Sequence, residues 1–167
     1  MGVETKRERS HRSVRRLRSE DAAAIATILR DSPEAANWTE AGLREMAERG
    51  EVVAFAGEAD GEMTGFVVAR RAGDEGEILN LAVRPANRRK GEGAALLRAT
   101  LKEFRALGVR RVFLEVRESN ERGVAFYAKH GFTRTGKRRA YYREPEEAAI
   151  VMEMALSGQN QGTTFAS

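Results

Sequence analysis

The 167-residue chain contains no cysteine. A disulfide framework, a thiolate nucleophile and a thiolate metal site are therefore all excluded. Histidine occurs twice, at His11 and His130, far apart in sequence. A zinc enzyme would need a mostly carboxylate ligand set, which is unusual for that metal. The expectation is no metal. Long apolar runs are also missing: none approaches the ~18 residues of a membrane span. The N-terminal MGVETKRERSHRSVRRLR is charged throughout and lacks the apolar centre of a signal peptide. A soluble, cytoplasmic protein without membrane contact is expected.

What the chain does have is charge and apolar residues in ordinary globular proportion, 32% and 41%. Its length suits one domain with a core of its own. The expected layout is a basic flexible tail over 1–12, one folded domain over 13–156 and a polar flexible tail over 157–167. Net charge is only +4, unevenly spread: residues 1–18 carry seven Lys or Arg against two Glu. That run reads as a solvated tail leading into a first strand, or as an RNA or ribosome attachment.

The pattern along the chain predicts a mixed α/β sheet. SVRRLR alternates as a short strand. SEDAAAIATIL reads as a helix with Ser19 at its N-cap and acids in its first turn, and TEAGLREMAERG as a second helix ending at Gly50. The apolar runs on either side of Asp60-Gly61 predict a β-hairpin, because this dipeptide favours the turns with positive φ. A strand near 77–83, a helix over 93–107 and a strand over 111–116 form one β-α-β unit, hence a parallel pair with a right-handed crossover. Leu97, Leu101 and Phe104 supply the helix's buried stripe, and Gly108 ends it. A helix over NERGVAFYAKHG follows. FTRTGKRR and AAIVMEMAL are the last two strands, joined through AYYREPEE.

The stretch VRPANRRKGEGAALL stands at the end of a parallel strand and the mouth of a helix, where α/β proteins hold ligands. Free N–H groups and the helix dipole favour an anion there. Gly91 and Gly93 admit a close approach of backbone, and Arg88, Arg89 and Lys90 add formal charge. Neither the P-loop nor the dinucleotide fingerprint is present. Alone, such a loop reads more readily as a solvated turn before a helix.

Two segments change its standing. RRKGEG at Arg88–Gly93 and LEVRESNERGVAFYAKHGF downstream resemble, in order and spacing, the two signatures of the GCN5-related N-acetyltransferases (GNAT). The likeness spans roughly residues 13–156. It implies the GNAT fold, a mostly antiparallel mixed sheet with a central parallel β-α-β unit flanked by helices. It also implies acetyl-CoA as co-substrate. The loop Arg88, Arg89, Lys90, Gly91, Glu92, Gly93 and Ala94 would grip the pyrophosphate through backbone N–H groups. Leu81, Ala82 and Val83 would hydrogen-bond the pantetheine arm and polarise the thioester carbonyl, with Asn120 nearby. Glu92 stands where the family usually has an aliphatic residue. Its side chain is expected to face solvent, so that only its backbone serves the ligand.

Acetyl transfer to an amine needs the amine deprotonated, the carbonyl oxygen stabilised and the departing thiolate protonated. Without cysteine or a Ser-His pair, direct attack by the amine is favoured over an acyl-enzyme. Glu115, a carboxylate among Val112, Phe113, Leu114 and Val116, is the candidate base, since partial burial would raise its pKa; it could equally face solvent or pair with Arg111 or Arg117. Tyr127 is the candidate acid, or a packed ring beside Phe126. NWTEAGL, NLAV, LEVRESN, FYAKHGF and RRAYYREPEEAAIVMEMAL resemble the bacterial family members that acetylate the N-terminal alanine of a ribosomal protein. That resemblance implies Glu115 as proton acceptor and Tyr127 as proton donor. Tyr141 and Tyr142, in the last loop, and Trp38 would wall the acceptor slot, or plug the core. The acidic Glu144–Glu147 could attract a basic peptide. The expected function is acetyl transfer to a ribosomal protein's N-terminal α-amine. Alternatives are a small amine, amino acid or protein lysine as acceptor, or a non-catalytic acyl-CoA- or RNA-binding module. Monomer and dimer both remain open.

Overall fold

The computed structural model describes residues 11–35, Trp38, Ala41, Gly42, Glu45 and residues 51–157. In chain order it contains β1 (Arg12–Arg16), a 3-10 turn (Ser19–Asp21), α1 (Ala22–Arg30), β2 (Val52–Ala59), β3 (Glu62–Ala72) and β4 (Glu75–Val83). A second 3-10 turn (Pro85–Asn87), α2 (Glu92–Ala106), β5 (Arg111–Arg117), α3 (Glu121–Lys129), β6 (Thr133–Arg143) and β7 (Glu146–Ala155) follow. The helix expected over 39–50 lies mostly outside the described residues.

The strands form one seven-stranded sheet in the order β1-β2-β3-β4-β5-β7-β6. Only β4 and β5 run parallel, joined through α2 as the β-α-β pattern requires. The β2–β3 hairpin turns at Asp60 and Gly61, with φ of 53° and 83°. Both values are positive, the geometry for which Asp-Gly is selected.

β3 runs inside the sheet between β2 and β4 and is buried without a break from Met63 to Ala69. Its alternate side chains serve opposite faces. Val67 and Ala69 join Leu96, Leu97, Leu101 and Phe104 of α2 and Val124 of α3. Phe66 and Val68 meet Ile25 and Ile28 of α1 on the other side. Burying each large apolar side chain contributes about 1.5–3 kcal/mol. α2 lies so close to β4 that a Cβ on Gly76 would stand 2.6 Å from the Phe104 ring. Gly108, at φ 80°, ends α2 as expected.

Two local expectations need correction. Ser19 is not the helix N-cap. Arg18 caps the 3-10 turn, and the Asp21 carboxylate accepts its N–H at 2.7 Å. The same carboxylate takes both terminal nitrogens of Arg15 on β1, each at 2.8 Å. A carboxylate can satisfy the free N–H and a guanidinium together, which a serine hydroxyl cannot. Arg15 first, and the Arg18 N–H with it, hold the Asp21 carboxyl below its ordinary pKa.

The second correction concerns the last hairpin. Tyr141 and Tyr142 are strand residues of β6, and Glu144-Pro145 alone joins β6 to β7. The register shifts between Arg138, opposite Ala149, and Tyr142, opposite Glu147. Ala140 adopts φ 50° inside this bulge. A bulge lets a strand continue while re-aiming its side chains.

Candidate active site

The parallel β4–β5 pairing runs from Glu75 opposite Arg111 to Ile78 opposite Leu114 and goes no further. Against β3, the β4 register slips: Val68 faces Asn80 while Ala69 faces Ile78, so Leu79 is an extra residue. This bulge bends β4 away from β5. The remainder of β4 and the end of β5 then form the two walls of a cleft of about 1430 Å³. Beyond Ile78 β4 is not paired with β5, and Leu81, Ala82 and Val83 border the cleft, where an extended ligand can lie along a strand edge.

The cleft gathers most of the residues singled out in the sequence. Leu81, Ala82, Val83, Arg88, Arg89, Gly91, Glu92, Gly93, Ala94, Glu115, Asn120, Tyr127 and Tyr142 all line it. Lys90, Trp38 and Tyr141 do not. The Lys90 side chain is exposed, and its carbonyl is taken from the outer side by Arg12 Nη1 at 2.6 Å. Trp38 packs, partly buried, against the apolar cluster under α1. Tyr141 is 46% exposed and stands beside Glu115, whose carboxylate raises its pKa.

The loop before α2 is shaped by Arg89 and Gly91, at φ 60° and 82°. The first intrahelical bond runs from Ala95 N–H to Gly91 O at 3.0 Å. N–H groups ahead of it have no intrahelical acceptor, as at any helix start. They and the helix dipole make a cradle for an anion, so the loop fits a pyrophosphate. Arg88 braces it. Its Nε donates to Val83 O at 3.0 Å, and its Nη2 contacts Ser32 Oγ at 3.1 Å and Glu34 Oε1 at 2.5 Å. Its guanidinium thus fastens the loop to the end of β4 and to the turn after α1.

Glu92 departs from expectation. Its side chain does not face solvent but is 4% exposed, turned under the sheet to Thr64 Oγ1 at 3.2 Å and Arg12 Nε at 3.6 Å. Room exists because position 57 is glycine: a Cβ there would meet Glu92 Oε2 at 3.2 Å. Two polar partners below the helix are what hold the carboxylate inside.

Glu115 lies on β5 directly after Leu114, the last residue paired with β4. Its side chain is 9% exposed and pairs with Arg138 Nε at 2.9 Å. The partners considered from the sequence are engaged elsewhere, Arg111 with Glu75 and Arg117 with Glu147. Arg138 comes from the edge of the β6 bulge, where no local pattern announced it. Asn120 caps α3 by accepting the Gly123 N–H at 2.9 Å. The cap sets the helix that carries Tyr127, itself 9% exposed and edge-on to Phe126 and Phe132.

Burial pushes the Tyr127 pKa well above the ordinary phenol value. The hydrogen bond to Glu115, with burial, moves Tyr141 up to about 12. Tyr142, under the Arg117 guanidinium at 4.0 Å, is raised mainly by burial. These are the chain's three tyrosines. A spectrophotometric titration of the folded protein should therefore show each tyrosine less than half ionised at pH 10, where a free tyrosine is about half ionised. The raised values stabilise the fold fully below about pH 10, and that contribution is lost as pH rises through the folded pKa values. Half-ionisation of even one tyrosine at pH 10, with the fold intact, would contradict this.

Comparison with known proteins bears on the same geometry. Residues 22–132 match the acetyltransferase (GNAT) family, and the chain belongs to that family. It is an acetyl-CoA-dependent N-acetyltransferase. The ribosomal protein bS18 alanine N-acetyltransferase of Escherichia coli K12 is 37% identical over 100 residues, 59% of this chain and 68% of that one. The N-alpha-acetyltransferase of Sulfurisphaera tokodaii is 32% identical over 114 residues, 60% of this chain and 68% of that one. The solved structure of the Escherichia coli ribosomal-protein-S18-alanine N-acetyltransferase superposes with a TM-score of 0.75 at 30% identity, covering 90% of this chain and 98% of that one. No helix among the described residues is long and apolar enough to cross a membrane.

Proposed function

We propose that this enzyme transfers the acetyl group of acetyl-CoA to the N-terminal α-amine of a protein, with alanine as first residue and a ribosomal protein as acceptor. The observation that carries the reading is the meeting of Glu115 and Tyr127 in one cleft, past the point where β4 and β5 part. The 37% identity to an alanine N-acetyltransferase supports the choice of acceptor.

The residues take their roles from chemistry. The Arg89–Ala94 backbone holds the pyrophosphate, and the open edge of β4 at Leu81, Ala82 and Val83 receives the pantetheine arm and polarises the thioester carbonyl. Glu115 accepts a proton from the incoming ammonium. The neutral nitrogen attacks the carbonyl carbon, the C–S bond breaks as Tyr127 gives its proton to the leaving sulfur, and the second proton shed by the nitrogen as the amide forms restores the Tyr127 phenol. A high phenol pKa keeps that proton in place until the thiolate appears. Arg138 and Tyr141, beside Glu115, give way to or frame the ammonium that replaces them.

The acceptor's own pKa favours this class. An α-amine near ~7.8 costs about 1 kcal/mol to deprotonate at pH 7, and a lysine near ~10.4 about 4–5 kcal/mol. One carboxylate suffices for the first task. Coenzyme A release should be seen with an alanine-starting peptide copied from the ribosomal protein, and not with its N-blocked, lysine-containing form. Turnover on lysine alone, or only on small amines, would overturn the acceptor assignment.

A further inference from the structure

Glu92 is a buried carboxylate on the first turn of α2, where an acid could have served the helix dipole just as well from water. Keeping it inside requires partners. Oε2 receives the hydroxyl of Thr64, itself 3% exposed. Oε1 is buried with no hydrogen bond, and its compensation is the Arg12 guanidinium, with Nε at 3.6 Å. Arg12 then does a second thing: its Nη1 donates to Lys90 O at 2.6 Å.

Lys90 stands between Arg89 and Gly91, the two left-handed residues that shape the loop. In a trans peptide the carbonyl and the following N–H point opposite ways. A cation on β1 drawing the Lys90 carbonyl outward therefore turns the Gly91 N–H inward. Gly91 lines the cleft and Arg12 does not.

We propose that Thr64, Glu92 and Arg12 form a positioning chain that fixes the Lys90–Gly91 peptide for the pyrophosphate of acetyl-CoA. Glu92 holds the guanidinium, and the guanidinium holds the peptide plane. These are positioning residues, which touch neither the reacting acetyl group nor the acceptor amine. The proposal rests on the reading that this loop takes the pyrophosphate. It does not depend on which amine is acetylated.

The test is calorimetric titration of the full chain with CoA and, separately, with pantetheine, which has the arm but no pyrophosphate. Arg12→Ala should weaken CoA binding about tenfold and pantetheine binding less than twofold. Glu92→Gln keeps shape and loses charge; it should weaken CoA about fivefold, again sparing pantetheine. The double variant should be no weaker than the worse single one, since both substitutions break one chain. Parallel loss of both ligands would mark a merely structural role and overturn the proposal, as would unchanged CoA affinity in Arg12→Ala. Gly91→Val, incompatible with φ 82°, separates the two levels. If it abolishes CoA binding while Arg12→Ala does nothing, the loop stands and the chain falls; if it binds CoA normally, the loop reading itself fails.

Discussion

Glu115→Gln should lower kcat on a free-amine peptide by about 10²–10⁴-fold, the usual worth of a positioned general base. Binding of acetyl-CoA should stay near the parent value. Glutamine keeps the size and hydrogen-bonding reach of the side chain but cannot take up the proton of the ammonium. The residue stands one position past the last β4–β5 pair and is 9% exposed, so water has little access to replace it. Stability should change little, because the partner left behind, Arg138, is 59% exposed and can return to solvent. The defect should also shrink with rising pH. Above the α-amine's ~7.8 the acceptor deprotonates unaided, and the variant's rate should climb toward the parent's. An unchanged kcat at pH 7, or a defect independent of pH from 6 to 9, would remove Glu115 from the role of base.

Tyr127→Phe carries the second large effect, a fall in kcat of about 10²-fold or more. It should come without loss of fold. The ring's edge-on contacts with Phe126 and Phe132, at 5.1 and 5.5 Å between centroids, survive the substitution. Losing one neutral hydrogen-bonding group costs about 1 kcal/mol, so the melting temperature should move by only a few degrees. A core tyrosine without a chemical role would show the same small shift in melting temperature with a normal rate. Measuring kcat and thermal unfolding on one preparation decides between the two. Phe at this position with undiminished kcat would mean that the leaving thiolate finds its proton elsewhere.

Local chemistry made much of this fold legible in the sequence. Asp60-Gly61 foretells its hairpin because few dipeptides accept two positive φ values. The spacing of Leu97, Leu101 and Phe104 gives the buried face of α2 because the apolar stripe has the helix's period. RRKGEG marks its loop because the left-handed turn at Gly91, φ 82°, suits a glycine. Features set by distant partners stayed hidden. The inward turn of Glu92 depends on Thr64, Arg12 and the absence of a side chain at Gly57, none of them near it in sequence. The pairing of Glu115 with Arg138 depends on a bulge whose φ 50° falls on an alanine, a residue that signals nothing. Tyr141 and Tyr142 read as loop because arginines and an acidic run surround them, yet an edge strand tolerates that much charge. Ser19 does not cap the turn because Arg18 does, its N–H held by an Asp21 carboxylate that is fixed by the guanidinium of Arg15 on β1.

The most direct test of the account is a crystal structure with a bisubstrate conjugate, an alanine-starting peptide joined through its α-amine and an acetyl bridge to the sulfur of coenzyme A. The pyrophosphate is expected on the N–H groups of Arg89–Ala94 and the arm along Leu81–Val83. The α-nitrogen should lie within hydrogen-bond reach of Glu115, directly or through one water, and the sulfur at the Tyr127 hydroxyl. A conjugate whose nitrogen and sulfur lay away from both side chains, with the pyrophosphate off the α2 loop, would contradict this.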